Sequence, residues 1–400
     1  MISPPYPEIP KFEFEARLAR AMELMSEEHL DGYLLFAEQN VSYFTGFRQT
    51  FDSPTVVWIA ALVTRGGEVC VVTTHGISNI IDKTTWVADV RAFGGSEYWG
   101  LPKDPIAVVT DLVREKLPRR PRLGLELGFG MHLRLTVSEF DRVKTALSNA
   151  DIRDASGLLW RQRAIKTPWE LDVYRKLGDI TSKGFVAGMN AAQAGVTEQD
   201  VLKKMWLTFV EEGAVDTPMR GQLMIRSGLD RHDMYCARPS NRVLAPGDQV
   251  MLDSGPCYRG YLADIQRHVF IGDPPDLEKQ LYRQSRVGLE AAIKALRPGT
   301  TASQVYHAAQ AAMVEVGVNN NVHWTFFGHS IGLVNHEPPF IVPDDHTPIQ
   351  AGMVLSVEVP AYDVPDFRVL GAFLEDILIV HEDGCEILTA AAPYMAGMAE

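Results

Sequence analysis

Apolar residues recur along this chain at two periods, and the switches between them outline its elements. From Phe12 to Leu30 the positions Phe14, Leu18, Ala21, Met22 and Met25 fall at helical spacing, and YLLFA after Gly32 reads as a strand. TVVWIAALVT, the turn RGGE and VCVVTT predict a hairpin, while DPIAVVTDLVREKL followed by RLGLEL predicts a helix and then a strand. Residues up to about Asp154 therefore read as an α/β domain with its own sheet. The pattern changes between Leu158 and Lys166. Thr167-Pro168-Trp169-Glu170 joins a capping box to a proline at the first helical position, which predicts a long helix running to about Ala194. We place the two domains at residues 1–155 and 160–400. In the second, AGVTEQDVLKKM and PGTTASQVYHAA each open a helix on a glycine and a threonine cap, an echo that suggests two similar halves.

The apolar pattern breaks at a few acids. GDQVMLDSGPCYRGYLAD, from Gly247 to Asp264, predicts two short strands, QVMLDSG and GYLADIQ, around a turn with Pro256, Arg259 and Gly260. Each strand carries an aspartate, Asp253 or Asp264, among apolar neighbours. Glu358 in VLSVEVPAY and Glu375 in FLEDILIV repeat that oddity, and His329 lies in FFGHSIGL. Taken singly, an acid on a strand is an edge residue facing water and a histidine is an ordinary hydrogen-bonded side chain. Taken together, four acids in strand contexts need a cation, because burying ionised carboxylates without one is costly. An oxygen-rich set with one imidazole suits paired Mn, Fe, Co or Zn ions, which can bridge a water and lower its pKa. A lone structural zinc would favour Cys and His.

Composition narrows the field. The chain has 400 residues, 46% hydrophobic and 22% charged, enough for two cores. A net charge of −13 and the lack of a Lys/Arg-rich run argue against a nucleic-acid partner and leave small molecules or peptides. The run Thr55 to Val63 is too short to span a bilayer, and no basic segment precedes an apolar one at the amino terminus, so the expected place is the cytoplasm. The four cysteines lack CxxC spacing, which suggests neither a zinc knot nor a disulfide framework.

The order and context of Asp253, Asp264, His329, Glu358 and Glu375 resemble the pita-bread metallopeptidase family of Xaa-Pro aminopeptidase, prolidase, methionine aminopeptidase and creatinase, whose ligands run Asp, Asp, His, Glu, Glu. PGDQVMLDSG, GHSIGLVNHEPPF and GMVLSVEVPAY carry the resemblance over most of residues 160 to 390, and NVSYFTGF extends it to a creatinase-type amino-terminal domain. The resemblance implies a creatinase-like α/β domain followed by a pita-bread catalytic domain, two divalent metal ions (Mn, Co, Fe or Zn), and hydrolysis of a peptide or amide bond next to proline. It further implies that Glu358 handles a proton and that His336 stabilises the oxyanion at the scissile carbonyl. A homodimer is expected, with Arg48 reaching a neighbouring subunit's site and residues 1 to about 155 shaping the substrate cleft.

Two positions depart from the family pattern. Cys236 stands where many members carry a histidine three residues before the proline of CARPSNR, and Phe373 stands where Xaa-Pro enzymes commonly have arginine, two residues before the last ligand. An apolar ring cannot replace a guanidinium's hydrogen bonds. Arg368 is a nearby substitute, and His232 and His323 are candidates for the missing proton transfer. Such departures keep other substrates open, including creatinase-like or ectoine-hydrolase-like amides and a dimethylsulfoniopropionate lyase reaction. The lyase relatives carry an acid two residues after the first ligand Asp, where this chain has Gly255. A non-catalytic binding protein on the same fold is the third alternative, opposed by the five intact ligands.

Cys236 separates the first two alternatives. A thiol titrates near about 8.5, well above imidazole. In a peptidase with a weakened proton shuttle, Cys236→His raises hydrolysis of Xaa-Pro dipeptides by about tenfold to a thousandfold. In a pocket rebuilt for another substrate the same change gives no gain and damages the native reaction. Unchanged rates in Cys236→Ser would mark an inert thiol.

Overall fold

Local signals and long-range pairing meet at residues 8–48, 57–94, 104–216, 223–231, 238–318, 325–363 and 371–396, which the computed structural model describes. The chain divides into two units, Met1–Arg163 and Ala164–Glu400.

The first unit runs α1 (Lys11–Glu27), β1 (Gly32–Leu35), α2 (Glu38–Thr45), β2 (Ile59–Thr64), β3 (Val69–Thr74), α3 (His75–Thr84), β4 (Asp89–Phe93), α4 (Pro105–Lys116), β5 (Arg122–Leu125), α5 (Val137–Ala146), β6 (Asp151–Asp154) and α6 (Ser156–Ala164). Its strands form one mixed sheet in the order β4-β3-β2-β1-β5-β6. The predicted hairpin is β2–β3, paired from Ile59↔Thr73 to Val63↔Val69. Leu34, Leu62, Val109 and Leu125 fill a core beside the sheet. Glu126, just past β5, is buried and accepts hydrogen bonds from the Phe36 and Ala37 amides and from Asn40 Nδ2. Its carboxyl thus takes up backbone amides at the step from β1 into α2, and burial pushes its pKa up against the opposing effect of these donors.

The second unit continues with α7 (Pro168–Ala191), α8 (Glu198–Glu211), β7 (Met224–Ser227), β8 (Gln249–Ser254), β9 (Cys257–Tyr258), β10 (Tyr261–Leu262), β11 (Ile265–Phe270), α9 (Asp276–Ala295), α10 (Ala302–Glu315), β12 (Gly328–Ser330), β13 (Glu337–Phe340), β14 (Val354–Ala361), β15 (Ala372–His381), β16 (Gly384–Ile387) and β17 (Met395–Ala396). The cap chemistry read from the sequence is realised: Thr167, Thr197 and Thr301 each close a capping box. Two sheets result, β17-β11-β8-β7 and β13-β12-β14-β15-β16, with β9 and β10 as a small separate hairpin. GYLADIQ is therefore not one strand. It breaks at Ala263 and Asp264, because Tyr261 and Leu262 pair back on Tyr258 and Cys257 whereas Ile265 pairs with Ser254.

Strands β14 and β15 are buried along both faces except at His381. Their antiparallel register sorts the side chains. Leu355, Val357, Val359, Leu374 and Leu378 pack with residues of α9 and α10 such as Leu289 and Ala309. Ser356, Glu358, Phe373 and Glu375 occupy the opposite face. Gly328 lets β12 lie close against β14: its φ is 135°, and a Cβ there would strike the Ser356 carbonyl oxygen. Arg267 on β11 and Asp376 on β15 form a fully buried ion pair at 2.7 Å. The guanidinium also donates to the carbonyls of Gln266, Ala392 and Thr389 and to that of Glu375. Such extra bonds are what a buried pair needs to offset its desolvation.

A second buried polar knot joins three elements. The Gln249 amide donates to Glu278 Oε1 at 2.6 Å and to the Gly371 carbonyl at 2.9 Å, close to His268 Nδ1. Burial pushes the Glu278 carboxyl up to about 7, against the opposing effect of its donors. A carboxyl whose pKa is raised on folding contributes stability below its unfolded value of 4.5, and loses it as pH climbs through about 7. Glu278→Gln should therefore remove a loss on the order of 3 kcal/mol between acidic pH and pH 8. Denaturant midpoints of both proteins at pH 5 and pH 8 check this, and parallel pH trends would contradict it.

Candidate metal centre

Each acid singled out in the sequence is brought to one place by a different element. β8 supplies Asp253, the step between β10 and β11 supplies Asp264, β12 supplies His329, β14 supplies Glu358 and β15 supplies Glu375. All five are buried, none more than 5% exposed. Glu358 and Glu375 stand directly opposite one another across the β14–β15 ladder. Two like charges in that position repel and weaken a sheet.

Three sets of donor atoms lie within 4.8 Å of one another: Asp264, His329 and His336; His329, Glu358 and Glu375; and Asp253, Asp264 and Glu375. Every two of these sets share a member, so the donors form one continuous cluster. Electrostatics show what it lacks. Burial first, and the Asp264 charge second, push the carboxyls of Asp253, Glu358 and Glu375 well above the ordinary range. Bare, the cluster cannot hold all of its charges at once.

The imidazole of His329 is poised in the same sense. Its Nδ1 lies 3.0 Å from the Ser330 carbonyl, which can only accept, so Nδ1 is the donor there and Nε2 is the ring nitrogen turned toward the acids. Nε2 is buried without a hydrogen-bond partner among the described residues, 3.6 Å from Asp264 Oδ2 and 4.0 Å from Glu358 Oε1. A buried ring nitrogen without a hydrogen-bond partner among the described residues, facing crowded carboxylates, fits a divalent cation. Such a cation would satisfy the nitrogen and the acids together.

Neighbours that the sequence did not single out complete the cluster. Ser356 Oγ lies within hydrogen-bond reach of Glu375 Oε1 at 2.9 Å and of the Asp264 carbonyl, and Asn335 Nδ2 donates to Asp264 Oδ2. His336 stacks its ring 4.1 Å from that of His329. Packing takes much of the His336 ring out of water and pushes its pKa down to about 4, although the residue keeps an exposed edge. Phe373 shares the carboxylate face, two residues before Glu375, with its ring against Tyr362 at 6.3 Å. Gly255 has its own constraint: a Cβ there would lie 2.8 Å from the Ala263 Cβ and carbonyl oxygen, so an acidic side chain cannot be accommodated without moving backbone. Arg48 is paired with Glu8. Cys236, His232, His323 and Arg368 lie outside the described residues.

Comparison with known proteins points the same way. Residues 172–382 match the model of Metallopeptidase family M24, and residues 17–165 match that of the Creatinase/Prolidase N-terminal domain. The chain is 26% identical over 309 residues to a Xaa-Pro dipeptidase from Lactobacillus delbrueckii subsp. lactis, covering 76% of this chain and 79% of that protein. Among solved structures it is similar to a Xaa-Pro dipeptidase from Bacillus anthracis, with a TM-score of 0.79, 25% identity, and coverage of 94% of this chain and 98% of the other. It is also similar to dipeptidase PepE from Mycobacterium ulcerans, with a TM-score of 0.79, 26% identity, and coverage of 97% and 98% respectively. With the family match spanning more than half its length, over the stretch that carries all five donors, the chain belongs to metallopeptidase family M24.

Proposed function

We propose that this protein is a metal-dependent peptidase cleaving the bond between a residue and a following proline. The observation that carries the reading is the facing pair Glu358 and Glu375, inside a cluster whose one imidazole nitrogen is buried without a partner among the described residues. Asp253, Asp264, His329, Glu358 and Glu375 would hold two divalent ions. Bound there, such ions supply Lewis acidity and a nucleophilic water at neutral pH. Glu358 would take the proton that this water gives up and pass it toward the leaving amine. His336, packed on His329 with an edge still exposed, would donate a hydrogen bond to the carbonyl oxygen as negative charge develops on it. Ser356 and Asn335 orient the carboxylates.

The hard oxygen donors support manganese among the candidate metals. Resemblance to creatinase-type chains supports a cytoplasmic homodimer, and among the described residues no helix is long and apolar enough to cross a membrane. The tight approach of Gly255 to Ala263 weighs against the lyase alternative, which places an acid at that position.

Purified protein is expected to carry close to two divalent metals per chain by elemental analysis and to hydrolyse a panel of Xaa-Pro dipeptides. Asp253→Ala and Glu375→Ala should each abolish metal retention and turnover. Chelation should lower the thermal midpoint, since a cation bound only by the folded state stabilises it. Full turnover after exhaustive chelation would sink the reading.

A further inference from the structure

Beside two of the clustered acids lies a polar side chain that the peptidase chemistry does not use. Gln266 stands directly opposite Asp253 in the β8–β11 ladder and two residues after Asp264 along the chain. Residues opposite one another in an antiparallel pair project to the same face, so the Gln266 amide and the Asp253 carboxylate share one side of the sheet. Asp253 and Asp264 belong, with Glu375, to a single set of donors.

The Gln266 amide is fully buried, and neither its oxygen nor its nitrogen has a hydrogen-bond partner among the described residues. Gln162 and Gln249, the other buried glutamines with an orphan atom there, lack a partner for the oxygen alone. The main chain gives Gln266 little freedom to move elsewhere. It pairs with Asp253, and its carbonyl accepts from Arg267 Nη1 at 3.0 Å. Its neighbours on β11 are engaged: Arg267 with Asp376 and main-chain carbonyls, His268 with the main chain of Phe373. An unsatisfied buried amide lowers stability, and an apolar side chain of the same size would avoid that cost. A group retained under those terms needs a partner from outside the chain.

An occupied metal centre offers both kinds of partner. A carboxylate that binds an ion through one oxygen has another left to accept a hydrogen bond, and a water on the ion donates one. An amide meets both, with Nε2 as donor and Oε1 as acceptor. It also adds no charge: an acid in its place would join carboxyls that already repel, and a lysine would oppose the ion. Hydrogen-bonding groups behind metal ligands fix the direction and basicity of those ligands.

Resting on the metal-dependent reading above, we infer that Gln266 is a positioning residue of the metal centre, its amide gaining partners only when the ion at Asp253 and a water on that ion are in place. Gln266 then favours binding over the stability of the empty fold. The amide weakens the apo protein and tightens the loaded one, whereas a residue present for structure alone would stabilise both forms.

Gln266→Leu and Gln266→Met remove the amide with two apolar shapes of similar size. In the full-length apo protein both should keep or raise the denaturant midpoint of wild type. Calorimetric titration with manganese(II), and with zinc(II) in parallel, should show affinity for at least one bound ion falling by about ten- to a hundredfold. The rise in midpoint on loading should shrink with it. Lower apo midpoints in both variants, or failure of both to fold, would overturn the inference by making the amide a part of the fold itself. Ions bound alike by wild type and both variants would remove the role of Gln266 and leave the metal reading standing. Wild type that binds neither ion would instead overturn that reading, and this one with it.

Discussion

Mutual repulsion among buried carboxylates is the constraint that organises the second unit. Four acids within one cluster, two of them facing across a ladder, are tolerable only where a cation replaces the water they have lost. Their positions come from three strands and a step between strands, and the histidine from a fourth strand, so no local segment can build the site. Elements distant in sequence must pair in one register for the charges to converge. Under that constraint β14 and β15 serve two solvents at once: Leu355, Val357, Val359, Leu374 and Leu378 face a helical layer, and Glu358 and Glu375 face the polar interior.

The polar side chains behind the acids follow from the same condition. Ser356 and Asn335 bond to the clustered acids Glu375 and Asp264, while Arg267 grips the Glu375 carbonyl and the Asp376 carboxylate. Clamped in this way on its main chain, β15 holds the direction of the Glu375 carboxylate without using that carboxylate. The clamp itself is a buried ion pair with further acceptors around the guanidinium, the arrangement in which such a pair avoids a net cost.

How far this was legible in the sequence depended on the range of the signal. Caps are local, and Thr167, Thr197 and Thr301 were readable because three residues decide each box. Asp253, Glu358 and Glu375 stood out because a carboxylate inside an apolar run is anomalous wherever it occurs. Ser356 and Asn335 send no such signal: a serine in LSVEV or an asparagine in LVNHE is an ordinary polar residue, and only their hydrogen bonds to Glu375 and Asp264 show what they serve. Asp264 was found as a residue and misplaced as an element. The tight β9–β10 hairpin takes Tyr261 and Leu262 out of the long strand, a choice made by tertiary pairing rather than by β propensity.

The facing of Glu358 and Glu375 also bears on how errors are detected. In an ordinary two-sided apolar strand pair, a slip of one residue exchanges one set of Val and Leu contacts for another, and little marks the mistake. Here a slip would turn one acid toward the layer of Leu289 and Ala309 and leave the other without its opposite number, so the donor cluster could not close. A cation held by these donors would then bind only the correctly aligned strands. Misaligned chains would lack the cluster, and the free energy of binding would be withheld from them.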